Sequence, residues 1–259
     1  MTREEREHIL ILFKPYSVHS INLSGGEKQM IERKQAFASQ LTFDDVQLLG
    51  RAADAGMPEA ICLLGACYIE GWEVSVDKRR GGALFLRAAE LGNPYAQHTI
   101  AGWYMHGTGQ YVLEELQGVP SPKNEVSDAM SYALGGEVCS KSRNLAIAWY
   151  KKACSQDFGP SLSALGKLMF IESNYYPERK NGFQMLEKAA AQGVWSAMYQ
   201  VARVYELGDS DTHIARDRDK ALKVYRELVR LGSPQAKSKV RELGGSWWRQ
   251  KFNSKALPD

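Results

Sequence analysis

A six-residue pattern recurs along this chain at a nearly constant spacing. RAADAG, which ends at Gly56, returns as RAAELG ending at Gly92 and as KAAAQG ending at Gly193. A degraded copy, KACSQDFG, ends at Gly159, and an apolar copy, ELVRLG, ends at Gly232. The gaps between these glycines are 36, 67, 34 and 39 residues, so one period explains every gap once about 31 inserted residues are removed from the second. A period of this size is typical of a stack of helix pairs, in which each unit packs on its neighbours.

A second pattern precedes these glycines and defines one face of a helix in each unit. Its first copy is Ala60, Leu64, Gly65, Tyr68 and Gly71, and residues four apart lie on one side of an α-helix. The copies at offsets of 36, 137 and 101 residues are Ala96, Ile100, Ala101, Tyr104 and Gly107; Ala197, Val201, Ala202, Tyr205 and Gly208; and, more weakly, Ser161, Leu165, Gly166, Met169 and Glu172. The small third residue predicts a close helix approach, and the closing glycine suits a left-handed cap. Second helices are predicted, for example, over residues 144–152 and 220–231.

The repeated segments resemble one known family of repeats. AICLLGACYIEG followed by Asp77, AQHTIAGWYMHG, NLAIAWYKKA, and MYQVARVYELG followed by DKALKVY are similar to the Sel-one-like repeat, a relative of the tetratricopeptide repeat. The resemblance covers about residues 43–245, although the third unit lacks the tyrosine and the cap glycine. It implies an all-α, right-handed α-solenoid of about four full helix pairs plus capping helices. It also implies binding to other proteins and does not imply an enzyme.

Three segments lie outside the regular repeats. We expect an N-terminal arm and capping helix over residues 1–42, a solenoid over 43–245 with an insertion at 110–143, and an aromatic, basic tail over 246–259. HILILF near the start is either a short strand-like arm or the beginning of a helix, because six residues show no decisive period. A helix capped by Ser24 is predicted to run to about Gln40. A short helix is predicted at 125–134, and Trp247 and Trp248 are predicted to cover the last repeat.

Composition narrows the class of protein. The 33 basic and 30 acidic side chains leave a net charge of +3, which argues against a strong nucleic-acid-binding surface. The apolar run Ile9–Phe13 is too short to span a membrane, and the charged stretch before it is not the basic start of a secretory signal. We therefore expect a cytoplasmic protein without a membrane span. The cysteine spacing does not suggest disulfides, so we expect free thiols at Cys62, Cys67, Cys139 and Cys154.

Short motifs that suggest chemistry do not hold up in context. LSGGEKQ, at residues 23–29, looks like an ATPase signature loop, but such a loop works against a P-loop and the sequence has none. A capped helix start is the better interpretation. His98 and His106 point in directions about 80° apart on one helix, with no further ligand beside them. We therefore predict no catalytic residue, no metal site and no cofactor.

The better functional candidates occupy positions that the repeat does not dictate. If the repeat residues face inwards, the opposite side of the first helices carries aromatic, basic and apolar side chains. Such residues anchor protein interfaces, and an exposed apolar patch usually marks a binding surface. In related solenoids the first helices line the concave surface. The alternative is that some of these side chains pack against the next repeat. The predicted protein-binding residues are Tyr95, His98, Met105, Lys167, Phe170, Trp195, Tyr199 and Arg203.

These observations favour a non-enzymatic adaptor that binds a protein or peptide on its concave face. The resemblance suggests a bacterial regulatory or signalling scaffold. One alternative is an immunity-type inhibitor that neutralises a specific toxin by tight one-to-one binding, with the insertion plugging a cleft. Another is an envelope polymer-binding protein or an enzyme that uses His98, His106 and nearby acids, which would need a deep polar pocket. The sequence leaves the partner and the oligomeric state open.

Overall fold

The computed structural model describes residues 1–19, 36–106 and 142–253 of the 259-residue chain. Regular structure in these ranges is helical, apart from an isolated bridge between Asp209 and Ile214. The helices are α1 (Arg3–His19), α2 (Phe43–Asp54), α3 (Pro58–Glu70), α4 (Lys78–Glu90), α5 (Pro94–His106), α6 (Arg143–Cys154), α7 (Gly159–Glu172), α8 (Tyr176–Ala191), α9 (Trp195–Leu207), α10 (Arg218–Arg230) and α11 (Pro234–Asn253). None of these described helices has the length and apolar character needed to cross a membrane.

The described helices form two compact units that divide within α7. Unit 1 ends at Ser161 and unit 2 begins at Leu162. Four successive helix pairs carry the repeats: α3 with α4, α5 with α6, α7 with α8, and α9 with α10. The predicted all-α fold, with about four full helix pairs between flanking helices, is confirmed. The segment boundaries expected at residues 42 and 245 stay predictions.

Left-handed residues end several helices where the sequence pattern predicts them, but Gly208 after α9 is not a left-handed cap, since its φ of 75° is combined with a ψ of 168°. Gly71 follows the first helix of its pair with φ of 78°. The glycines that end second helices have φ between 80° and 95°: Gly56, Gly92, Gly193 and Gly232. The degraded copy differs from the prediction, because Asp157 takes the left-handed conformation, with φ of 59°, and Gly159 begins α7. Aspartate is one of the few residues with a Cβ that tolerate this region, so the turn survives without its glycine.

Small residues let the two helices of a pair approach closely. A Cβ added to Gly81 on α4 would lie 2.7 Å from the carbonyl oxygen of Gly65 on α3. The same contact recurs in unit 2, where a Cβ on Gly182 would lie 2.8 Å from the carbonyl oxygen of Gly166. The corresponding residues of the other two pairs are fully buried alanines: Ala101, Ala146, Ala202 and Ala221. The close approach predicted from the repeat is therefore confirmed at both glycine pairs.

The N-terminal segment is helical and packs on unit 1. HILILF lies within α1, so the helical interpretation of this segment is the correct one. The helix contacts α2 and α3, and Ile9 is completely buried. Two polar contacts hold it in place: Glu5 lies 3.2 Å from Arg51, and His8 Nε2 lies 2.6 Å from a carboxylate oxygen of Asp45. The first repeats are thus covered on one side by a segment outside the repeat pattern.

Some sequence predictions fall outside the described residues. Of the helix predicted from Ser24 to Gln40, residues 36–38 are described and are helical. The insertion, with the helix predicted at 125–134, lies outside the described ranges apart from its last two residues. The side chains of Trp247 and Trp248 also lie outside them, so their capping role stays a prediction.

Candidate functional site

Tyr95, the first of the predicted binding residues, is part of the interior of unit 1. Its side chain is only 7% exposed. The ring of Phe13 on α1 meets it edge to face with centroids 6.1 Å apart, and Phe85 on α4 lies 6.4 Å away on another side. Helix α1 therefore occupies the surface on which Tyr95 was expected to meet a partner.

His98 is also enclosed by its own unit. The imidazole lies between the rings of Tyr150 and Phe158, at centroid distances of 5.4 and 5.9 Å, and its Nδ1 is 3.0 Å from the hydroxyl of Ser161. Burial lowers the pKa of His98 to about 4, so the ring is neutral at neutral pH. Met105, farther along α5, is half-buried. A binding role for Tyr95, His98 and Met105 stays a prediction.

The remaining five predicted residues form a surface on α7 and α9 of unit 2. Ser163 and Ser196, whose hydroxyl oxygens are 2.9 Å apart, join these two first helices. Among the five, the cationic side chains are exposed and the aromatic ones are half-buried. We call this set the first-helix surface: Lys167, Phe170, Trp195, Tyr199 and Arg203.

The aromatic rings of the first-helix surface are held by neighbouring helices. Phe170 packs on Phe183 of α8 with centroids 5.7 Å apart, and the guanidinium of Arg179 lies 5.0 Å from its ring centroid. Tyr199 meets the ring of Tyr225 on α10 at 5.7 Å. Trp195 packs against the apolar core of the last helix pair. Because these rings are already fixed, a ligand that contacts them would lose little side-chain entropy in ordering them.

A buried carboxylate next to this surface is fully engaged by protein groups. The phenol of Tyr225 donates to Glu206 at 2.7 Å, and the ammonium of Lys239 donates to its other oxygen at 2.9 Å. Burial alone would raise the pKa of Glu206, but these hydrogen bonds and the charges of Lys239 and Arg203 outweigh it and lower the pKa below its ordinary value. Glu206 is therefore an ion-paired structural group.

The residues that the structure describes contain neither a cluster of side chains suited to a metal ion nor a disulfide. No group of three or more His, Cys, Asp or Glu side chains there could hold a metal ion. Cys62 and Cys67 are buried free thiols, and burial raises the pKa of Cys67 to about 12. The side chain of His106 lies outside the described residues, so the expectation that it forms no ligand pair with His98 stays a prediction.

The sequence could not reveal that α1 lies on the first repeats. The repeat period does not show which repeat α1 packs against. Nothing in the repeat therefore distinguished Tyr95 from the other outward positions. One signal was present: Tyr95 and Phe13 are large aromatics whose burial needs a partner outside the repeat. In unit 2 the described helix α11 contacts α9, where Lys239 donates to Glu206 at 2.9 Å, whereas Lys167 and Arg203 remain exposed.

Comparison with protein families identifies the repeat. The family model described as Sel1 repeat matches residues 58–93, 128–158, 164–194 and 195–233, which together exceed half of the chain. Among curated proteins, the chain is similar to chitin synthase regulatory factor 3 of Schizosaccharomyces pombe, with 24% identity over 217 residues. That match covers 76% of this chain and 22% of the yeast protein, so the chain spans about a fifth of its relative's length.

One solved structure shares the architecture of this chain, and others resemble it less closely. A Sel1 repeat protein from Oxalobacter formigenes has a TM-score of 0.56 and 22% identity, with 86% of this chain and 75% of that chain covered. A protective antigen of uropathogenic Escherichia coli with an SLR fold has a TM-score of 0.37 and 18% identity, with coverage of 86% and 58%. An immunity protein from Pseudomonas aeruginosa has a TM-score of 0.38 and 15% identity, with coverage of 74% and 75%. The first of these similarities establishes the shared fold.

Proposed function

This chain belongs to the Sel1 repeat family, and on that basis we propose that it is a non-enzymatic adaptor that binds a protein or peptide partner. The first-helix surface of unit 2 is the proposed contact region. The partner is proposed to contribute acidic side chains to Lys167 and Arg203 and an apolar side chain to the half-buried rings beside them.

The observation that carries this proposal is the change of residue type at one repeat position. The position holds Ala66 and Gly102 in unit 1 and Lys167 and Arg203 in unit 2. Packing of the repeat therefore requires no charge there, since small residues serve equally well. Two exposed cations at matching places on neighbouring first helices need another explanation.

The surroundings of these two cations also favour a ligand. Among described residues, Lys167 makes no hydrogen bond or ion pair, and Arg203 interacts only electrostatically, with Glu206 and Tyr225. The helices α7 and α9 meet at the hydroxyls of Ser163 and Ser196, so the two cations lie on adjoining helices. Exposed cations next to rigid aromatic rings are the residue types that dominate binding energy at protein interfaces.

The test is affinity capture of the tagged full chain from its source cells, followed by quantitative mass spectrometry. The variant Lys167→Glu with Arg203→Glu reverses the charges of two exposed side chains, and a thermal melt checks that the fold persists, because Arg203 also interacts with the buried Glu206. Lys180→Glu, an exposed lysine on α8, is the matched control. The proposal predicts a partner that the control retains and that the double variant loses by about tenfold or more.

Two outcomes separate the proposed versions of this function. One stoichiometric partner, bound directly by the purified protein, would favour the inhibitor of a single target. Several weaker partners would favour a general scaffold. Equal capture of every partner by the double variant and by the wild type would contradict the first-helix surface as the contact region.

A further inference from the structure

Unit 2 contains a groove that does not involve the first-helix surface residues. Helices α8, α9 and α10 enclose about 730 Å³, a volume in the range of ligand sites. Apolar side chains form its floor: Ala190, Ala191, Met198 and Val224. Four cations along α10 form its rim: Lys220, Lys223, Arg226 and Arg230. We call these four residues the α10 basic row.

The α10 basic row is exposed and only partly neutralised. Its members are three or four residues apart, so they follow one side of the helix over about 15 Å. Lys220 and Arg230 are 61% and 81% exposed, and each has an acidic neighbour on its own helix or cap, at 3.5 and 3.2 Å. Lys223 and Arg226 form no ion pair with any residue that the structure describes. Exposed pairs of this kind contribute little stability, and Lys220 also lies 5.0 Å from the ring centroid of Tyr205, so Lys223 and Arg226 are the members of the row without a described ion pair or ring contact.

The repeat itself does not require these charges. Counted back from the closing glycine, the four positions are neutral or acidic in α8, where they are Asn181, Gln184, Glu187 and Ala191. In α2 they are Asp44, Gln47, Gly50 and Asp54, and in α4 they are Arg80, Ala83, Leu86 and Glu90. Basic residues occupy all four positions only in α10 among these second helices. A feature confined to one copy of a repeat points to a ligand of that copy.

The groove needs a ligand that is both acidic and apolar. We propose that it is a docking site for an acidic amphipathic helix of a partner protein, with carboxylates at three- or four-residue spacing facing the α10 basic row and apolar side chains on the floor. Such a helix would lie against the second helices. It would pack through an apolar seam with charged residues at its flanks, as in coiled coils and helix-in-groove complexes. The apolar floor favours this helix over a phosphate backbone, which has no apolar side chains to place on Met198 and Val224.

This inference does not rest on the proposed function, because the two surfaces share no residue. The probe is a displayed library of 16-residue helical peptides, selected on the full-length protein. The leading sequence is then synthesised and its affinity measured by fluorescence anisotropy. The decisive variant is Lys223→Glu with Arg226→Glu. Both side chains are exposed, so the fold should persist, which a thermal melt checks. Lys180→Glu controls for a single charge reversal elsewhere on unit 2, and Lys167→Glu with Arg203→Glu changes the net charge by the same amount as the decisive variant and controls for the other surface.

We expect enriched peptides with at least three acidic residues at helical spacing, interleaved with Leu, Ile or Phe. The decisive variant should weaken their binding about tenfold or more, and both controls should change it less than twofold. Enrichment of no acidic sequence, or equal binding to the decisive variant, would overturn the proposal.

Other occupants are tested in parallel with the same decisive variant. Vesicles containing phosphatidylserine and a 20-base-pair DNA duplex test an anionic lipid surface and a nucleic acid. Sedimentation velocity tests a second copy of this chain. Binding or self-association that depends on Lys223 and Arg226, without competition from the selected peptide, would assign the groove to that occupant and overturn the acidic-helix proposal.

Discussion

At Gly81 an added Cβ would lie 2.7 Å from the carbonyl oxygen of Gly65 and 3.1 Å from the amide nitrogen of Ile69. Both atoms belong to the backbone, so a side-chain rotation cannot relieve the clash. The helices α3 and α4 would have to move apart, and the buried contacts between them would weaken. A glycine at this position is therefore a packing requirement of the helix pair.

Replacing Gly81 with alanine should lower the free energy of unfolding by about 1–3 kcal/mol, the usual cost of overpacking a core. Gly50 is the matched control in the same unit, because nothing lies within 4 Å of an added Cβ there. Gly50→Ala should stabilise α2 by up to about 1 kcal/mol through helix propensity. Urea unfolding of both variants checks the pair, and destabilisation of equal size by both would contradict the packing argument.

Glu206 shows how a residue at an outward repeat position can be structural. It is 7% exposed, and its partners Tyr225 and Lys239 come from α10 and α11. The repeat placed Glu206 on the outer side of α9, but no local pattern identifies hydrogen-bond partners 19 and 33 residues away. The same reason explains why the interior contacts of His98 could not be predicted.

The substitution Glu206→Gln should cost about 1–3 kcal/mol at pH 7, because it weakens charged hydrogen bonds in a buried setting. The pKa of Glu206 is lowered in the folded state, so its carboxylate stabilises the fold above the unfolded-state pKa of about 4.5. That stabilisation is lost as the pH falls through the lower, folded-state pKa.

The measurement for Glu206 is the difference in unfolding free energy between wild type and Glu206→Gln, at pH 7 and again near pH 3. We expect the difference to narrow at the lower pH. A difference that stays constant or grows would mean that the ionised carboxylate is not the stabilising form.

At the scale of the helix, side-chain caps begin most of the second helices, whereas α8 begins after Tyr175 without a side-chain cap. Asp217 accepts the backbone N–H of Lys220 at 2.9 Å and begins α10, and Asp77 does the same for Arg80 at the start of α4. Thr42 and Asp45 form a complete capping box at α2. These caps satisfy donors that a helix start leaves without a partner.

Removal of one such cap should destabilise unit 2 modestly. Asp217→Ala should lower the melting temperature, whereas Asp217→Asn should retain most of the stability, since the amide oxygen still accepts the capping hydrogen bond. Thermal unfolding followed by circular dichroism compares the two variants. Equal losses in Asp217→Ala and Asp217→Asn would mean that the charge, and not the cap, is what stabilises α10.

The helices were predictable where they follow the period and less so where they do not. The predicted second helices at 144–152 and 220–231 agree with α6 and α10 to within about two residues at each end, the ordinary uncertainty of helix ends. HILILF could not be assigned, because its helical character depends on packing against α2 and α3. In the degraded copy the left-handed turn was predicted at Gly159, but Asp157 adopts that conformation instead.

At the level of the whole molecule, we propose different roles for the two compact units. In unit 1, Tyr95 and His98 pack against residues of that unit, including α1. In unit 2, exposed cations lie on first helices and on a second helix, at positions where unit 1 mostly carries neutral or acidic residues, Arg80 being the exception. The repeat predicted the fold and the candidate positions. It could not predict which candidates would be buried, because burial depends on contacts outside the period.

The most direct test of the account is hydrogen exchange of the full chain, free and bound to the partner captured with it. The account predicts that slowed exchange upon binding is concentrated in residues 159–172 and 195–207, the helices of the first-helix surface. An acidic partner helix in the groove would add protection in residues 218–230. Protection confined to unit 1, with α7, α9 and α10 unchanged, would contradict the claim that unit 2 carries the binding surface.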